Sequence, residues 1–283
     1  MLKKRFGVMS KLKEIAKKIC EIEKLNYVDY IASGSFKEAY LVTKNGEEYA
    51  LKIFNMKNSS ERTSREIEIS LKFDCYNIGK IYAVKKVNIS AVEYLFILEE
   101  FLGGGSLGEK IKKRLLSKTE LINLGRDMQN ALNETYNREI VHRDIKPDNI
   151  MYRKNKSETV LVDFGLVRDL NAQSLTQTFM QMGPGTPFFS SPEQLNNKKE
   201  MIDWRSDQFA LGVTMCYAYF GIHPFEYGGS TAIENVVLFK RCNDNICEKL
   251  EDSGLKTIVK MIEPYPIKRF RTPNDLINEW EKL

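Results

Sequence analysis

The stretch Val141-His142-Arg143-Asp144-Ile145-Lys146-Pro147-Asp148-Asn149-Ile150, followed ten residues later by Val160-Leu161-Val162-Asp163-Phe164-Gly165, decides how this chain is read. Asp144 and Asn149 stand five apart with Lys146 between them, and Asp163 follows Asp144 by nineteen. Two oxygen ligands, a cation and a further carboxylate on one pair of loops suit a hard metal ion that holds phosphates. His142 reads as a packed ring beneath the loop, not as a base, and His223, the other histidine, has no evident site.

Upstream of this stretch the chain is strand-like. Runs of β-branched and aromatic residues at 27–31, 39–43, 48–54, 79–87 and 91–99 are separated by Gly, Ser, Asn and Lys, which predicts antiparallel strands. Asn45-Gly46 is a strong hairpin signal, and a charged helical stretch falls at 60–73. Past Gly103-Gly104-Gly105 the pattern turns helical: 106–115, then a long helix that Ser117 and Glu120 would cap in the S-x-x-E manner, carrying Leu121, Leu124, Met128, Leu132 and Tyr136 at helical spacing. Further helices are expected at 204–220, 254–262 and from Pro273 to the end, with Thr272 as N-cap. The expected fold class is α+β in two lobes: a small antiparallel sheet with one main helix over 27–101, and a larger, mainly helical lobe over 102–283. A glycine-rich hinge near 99–105 would join them, and ligands favour crevices between such lobes. Residues 1–26 form a separate basic extension.

The composition is that of an ordinary globular chain of 283 residues, 42% hydrophobic and 29% charged, which excludes a disordered or fibrous protein. The net charge of +5 is local. Residues 1–25 hold eight Lys/Arg against three Glu, and the rest hold 35 basic against 35 acidic side chains, so the body has no polyanion-binding character and nucleic acid is not an expected partner. Within the basic end Leu12, Ile15, Ile19 and Ile22 recur at helical spacing among lysines. That describes an amphipathic helix packed on its neighbouring lobe, with membrane or partner contact as the less favoured alternative. The five cysteines are odd in number and scattered, so neither a disulfide framework nor a zinc site is expected. With no apolar run of membrane-spanning length and no signal-peptide pattern, the expected setting is a reducing, cytoplasmic one.

The opening stretch resembles the catalytic loop and D-F-G signature of the eukaryotic-type (Hanks-type) Ser/Thr protein kinases at nearly every key position. The resemblance implies ATP as substrate with Mg²⁺, or Mn²⁺, as cofactor, and a protein acceptor. It implies that Asp144 orients the acceptor hydroxyl, that Lys146 places a positive charge beside the transferring phosphoryl group, and that Asn149 and Asp163 hold the metal. Tyr49-Ala50-Leu51-Lys52 matches the third-strand V-A-I-K, so Lys52 is the expected cation on the α- and β-phosphates. Glu66 in Arg65-Glu66-Ile67-Glu68-Ile69 is its expected carboxylate partner, with Glu68 as competitor because Ser70 follows where the family buries a larger residue. Thr186 in Gly185-Thr186-Pro187-Phe188-Phe189-Ser190-Ser191-Pro192-Glu193 points to Ser/Thr rather than Tyr acceptors. The resemblance also places Ile31, Gly34, Ala39, Ala50, Lys52, Leu98, Glu99 and Phe101 against the nucleotide, Leu98 guarding the rear of the adenine pocket. Glu193 is expected to pair with Arg269, and Asp207 to anchor the catalytic-loop backbone.

The phosphate-covering loop departs most from the family pattern. Ala32-Ser33-Gly34-Ser35-Phe36-Lys37-Glu38-Ala39 keeps one of three glycines, and Ala39 replaces the usual Val. Arg143 beside Asp144 matches members whose activation segment is ordered by phosphorylation, for which Ser174, Thr176 and Thr178 lie in the right window. Three function classes are therefore expected in order: a Ser/Thr protein kinase that autophosphorylates, a nucleotide-binding pseudokinase or scaffold, and a small-molecule phosphotransferase. Thr186, Pro192-Glu193 and Arg269 count against the last.

Overall fold

The computed structural model describes residues 2–33, 37–54, 73–164 and 187–283, with side chains in the first helix from Leu12 onward. Two compact units emerge. Of the described residues, the first holds those through Asp74 and again from Gly79 to Phe101, and the second holds Cys75–Ile78 and those from Leu102 onward.

The first unit is a five-stranded antiparallel sheet in the order β1-β2-β3-β5-β4: β1 (Asn26–Ser33), β2 (Lys37–Lys44), β3 (Glu47–Phe54), β4 (Ile81–Ile89) and β5 (Val92–Glu100). Between β2 and β3, Asn45 and Gly46 both take positive φ (52° and 85°), the combination a two-residue hairpin turn needs. Because strand side chains alternate, the register sorts the sheet into two faces. Tyr40, Val42, Leu51, Ile53, Tyr94 and Phe96 form one face, and helix α1 (Leu2–Glu23) covers it with Leu12, Ile15, Ala16, Ile19 and Cys20 in a single buried cluster. Ala50, Lys52, Phe54, Leu95, Ile97 and Glu99 line the other face. The packed stripe of α1 omits Ile22, which lies in the last turn of the helix and is 54% exposed. The expected helix at 60–73 lies almost wholly outside the described residues.

The second unit is mainly helical: α2 (Leu107–Lys113), α3 (Lys118–Asn137), α4 (Pro192–Leu195), α5 (Trp204–Phe220), α6 (Ala232–Val237), α7 (Asp244–Asp252), α8 (Lys256–Met261) and α9 (Pro273–Trp280). Ser106 and Ser117 begin α2 and α3 with reciprocal capping boxes to Glu109 and Glu120, so two otherwise unpaired N–H groups are satisfied at each start. Helix α5 buries residues all round, including Phe209, Leu211, Val213 and Met215 at 0% exposure, which marks it as the central helix of this unit. A short hairpin, β6 (Ile150–Tyr152) with β7 (Thr159–Leu161), completes it. Cys75–Ile78 joins this unit rather than the sheet, because the N–H of Leu161 donates to Asn77 O (2.8 Å) and Asn77 Nδ2 donates to Thr159 O (2.9 Å).

The expectation of no disulfide framework is corrected at one pair, Cys242 and Cys247, which form a disulfide at the start of α7. Their spacing of five matches no paired-cysteine motif, and the bond depends on the turn that Asn243 makes as it caps α7. Cys20, Cys75 and Cys216 are free thiols. Among the described residues no helix is long and apolar enough to cross a membrane.

Candidate active site

The β6–β7 hairpin frames the site. Pro147–Asn149 makes one 3₁₀ turn directly before β6, and Val162 follows β7 with its N–H donating to Asn149 O (3.0 Å). The loop from His142 to Asn149 and the residues leading to Asp163 are thereby tied together by backbone. His142 ties them a second time. Its Nδ1 accepts the N–H of Asp144 (3.2 Å), which leaves Nε2–H to donate to Val162 O (3.0 Å). The ring is 1% exposed and packs on Phe164 at 4.7 Å between centroids. A neutral, doubly bonded, buried imidazole is a brace rather than a base.

Asp207, in the first turn of α5, supports the loop from below. Its two carboxylate oxygens accept the N–H groups of His142 and Arg143, each at 2.7 Å. Burial pushes this carboxyl up to about 7, against the pull of those two donors. From α4, Gln194 Nε2 donates to Arg143 O (2.9 Å). Arg143 sits at φ 66° and Asp163 at φ 63°, a conformation costly for residues with a Cβ and sustained only where the surroundings over-determine it.

These anchors converge on Asp144. Lys146 Nζ lies 3.0 Å from Asp144 Oδ2, and Asn149 Nδ2 donates both to Asp144 O (2.8 Å) and to Oδ2 (3.1 Å). With its nitrogen committed to Asp144, Asn149 keeps Oδ1 as an acceptor. An amide oxygen together with the Asp163 carboxylate is a hard-oxygen donor set. It fits a hard divalent cation that fills its other positions with phosphate and water.

The sheet carries the second group of expected residues. Ala39 lies opposite Lys52 in the β2–β3 register, and Ala50 lies opposite Glu99 in β3–β5, all on one face. Lys52 forms an ion pair with Glu99. Leu98 lies opposite Leu51 and packs on the other face, with the cluster under α1. The expected role of Leu98 at the rear of the adenine pocket is therefore corrected: strand alternation assigns the Lys52 face to Glu99. Ile31 falls at the register shift between Tyr30 and Ala32 and is 40% exposed, and Phe101 is half-buried just past β5. Gly34, Glu66, Thr186, Ser174, Thr176 and Thr178 lie outside the described residues.

Residues 25–280 match the family model of the protein kinase domain. The chain belongs to the protein kinase family. This kinase is 28% identical over 233 residues to a probable serine/threonine-protein kinase of Clostridium perfringens, covering 78% of the chain and 33% of that protein. It is 32% identical over 215 residues to calcium-dependent protein kinase 5 of Plasmodium berghei, covering 72% of the chain and 36% of that protein. With myosin light chain kinase A of Dictyostelium discoideum it shares 28% identity over 276 residues, covering 93% of the chain and 90% of that protein. The chain thus spans about a third of the length of the first two relatives and nearly all of the third.

The kinase buries one more ion pair, beneath the site. Arg269 grips Glu193 with both terminal nitrogens (2.7 and 3.1 Å), and Ser206 Oγ–H donates to the same carboxylate (2.6 Å). Both charged side chains are 0% exposed, and Arg269 spends its remaining donors on the carbonyls of Glu263, Arg205 and Pro264. Full satisfaction of this kind lets a buried pair persist despite its desolvation cost. The sequence did not reveal Gln194, nor that Glu99, expected against the nucleotide, pairs with Lys52. Gln194 carries no motif signal, since its role depends on where α4 meets the loop. The Glu99–Lys52 pairing was open to view through strand alternation, had β5 been placed against β3 in register.

Proposed function

We propose that this kinase domain transfers the γ-phosphoryl group of ATP to serine or threonine hydroxyls of proteins, including its own activation segment. The observation that carries the reading is the Asp144 carboxylate, held within 3.1 Å of both Lys146 and Asn149 on a loop anchored by Asp207. In such a site the carboxylate receives and orients the acceptor hydroxyl, while Lys146 remains beside it as a cation for charge developing on the transferred group. Lys52 supplies a second cation, for the α- and β-phosphates. Asn149 and Asp163 would hold magnesium, which would offset the phosphate charge when bound. The protein's part is alignment and charge neutralisation, as expected for a loose phosphoryl-transfer transition state.

The cytoplasm is the proposed setting, on composition alone. The buried apolar stripe of α1 supports a bracing role for the N-terminal helix over membrane or partner contact. Phosphoamino-acid analysis tests the function: the chain is incubated with labelled ATP, magnesium and a generic protein acceptor. Label on serine and threonine of the acceptor, and on Ser174, Thr176 or Thr178 of the chain, is expected. Label on small metabolites alone, or on none of these acceptors, would overturn it.

A further inference from the structure

Lys52 reaches a carboxylate that no kinase signature assigns to it. The pairs Ala50 with Glu99 and Lys52 with Ile97 place Glu99 diagonally across from Lys52 on one face of the sheet. The two side chains form an ion pair at 10% and 14% exposure, too dry for solvent or salt to screen it strongly. The residues around the pair on this face, Ala50, Phe54, Leu95 and Ile97, are apolar. A lone carboxylate there would be expensive, and an apolar side chain would pack at lower cost, so its presence is explained by the cation it meets.

We infer that Glu99 is the positioning residue for Lys52, occupying one of its three N–H donors and turning the others toward an anionic phosphate. An ammonium has three donors and no acceptor, so a carboxylate on one of them fixes the direction of the rest. Because β3 and β5 are hydrogen-bonded neighbours, this partner is set by sheet register. It does not depend on Glu66. Leu98, one residue earlier, faces the opposite way and could not substitute. The inference rests on the proposed kinase activity in that Lys52 is taken as the phosphate cation.

The test uses the full chain with Glu99→Gln, Glu99→Asp, Glu99→Leu, Lys52→Met and the double variant Lys52→Met/Glu99→Leu, each confirmed folded by thermal melting. In the first readout, without nucleotide, an amine-acylating reagent labels Lys52 and mass spectrometry follows the rate. The ion pair ties up the amine and shields it from the reagent. Labelling should rise about tenfold in Glu99→Gln and Glu99→Leu and stay near wild type in Glu99→Asp. In the second readout, titration with magnesium and ATP should show Glu99→Leu weakening binding about tenfold, with no further loss when the same change is made in Lys52→Met. Equal acylation in wild type and Glu99→Gln would overturn the inference. So would an equal loss from Glu99→Leu with and without Lys52. A wild type that binds no nucleotide would refute the kinase reading instead, and the acylation rates would still decide whether Glu99 holds Lys52.

Discussion

His223 is committed to one protonation state by its surroundings. Its Nδ1 accepts the N–H of Phe225 (3.2 Å), and its Nε2 donates to the carbonyl of Phe188 (2.7 Å), just beyond Thr186 in sequence. At 1% exposure among aromatic rings, burial pulls the imidazole down to about 4 from 6.5. The folded state therefore resists a proton that the unfolded chain accepts. The stability this neutral ring supplies is complete above pH 6.5 and is lost as pH falls toward 4, by about 3 kcal/mol. Urea unfolding of wild type and His223→Gln across that window should show the loss in wild type and a smaller one in the variant, whose amide keeps the bond to Phe188. Parallel curves would contradict it. At this scale the sequence was legible where a residue's role depends on near neighbours: Asp144, Lys146 and Asn149 meet because one short loop holds them. It was not legible for His223, which gains its role from a carbonyl 35 residues away, nor for Leu98, where a one-residue choice on β5 exchanges the two faces of the sheet.

Helix α9 packs on α3 through a glycine. A Cβ on Gly125 would run into the six-membered ring of Trp280. That ring cannot swing away, because it is 3% exposed and its Nε1 donates to Ile122 O (3.0 Å). Gly125→Ala should therefore destabilise the kinase by about 1–3 kcal/mol through overpacking, although alanine is about 1 kcal/mol the better helix former. A chemical denaturation midpoint that rises instead would show that α9 can give way. Elements whose ends carry their own chemistry were legible: Asn45-Gly46 made the hairpin, Ser117 with Glu120 began α3, and Thr272 with Pro273 began α9. The Gly125–Trp280 approach was not, because it depends on how two helices meet in space, nor was the Cys242–Cys247 bond, which bridges the start of one helix and matches no paired-cysteine motif.

At the scale of the molecule, the helical unit is held together by contacts distant in sequence. Glu193 and Arg269 are 76 residues apart and sealed from solvent. Removing either alone, as Arg269→Met or Glu193→Leu, leaves a buried charge without its partner and should cost about 3–5 kcal/mol in urea unfolding. Replacing both together should cost less than the sum of the two single changes, and strictly additive losses would show that the charges act independently. The two-part architecture was visible in the switch from alternating to helical hydrophobic patterning near residue 101. The exchange of Cys75–Ile78 into the helical unit was not, since it rests on contacts of Asn77 and Ile78 with β7 and of Cys75 and Asn77 with Asn130, all distant in sequence. The account turns on Asp144 as the carboxylate that orients the acceptor hydroxyl. Single-turnover transfer of γ-labelled phosphate, wild type beside Asp144→Asn at saturating magnesium and ATP, tests this most directly. The account predicts unchanged nucleotide binding and a transfer rate lower by about 10²–10⁴-fold, and transfer at the wild-type rate by Asp144→Asn would contradict it.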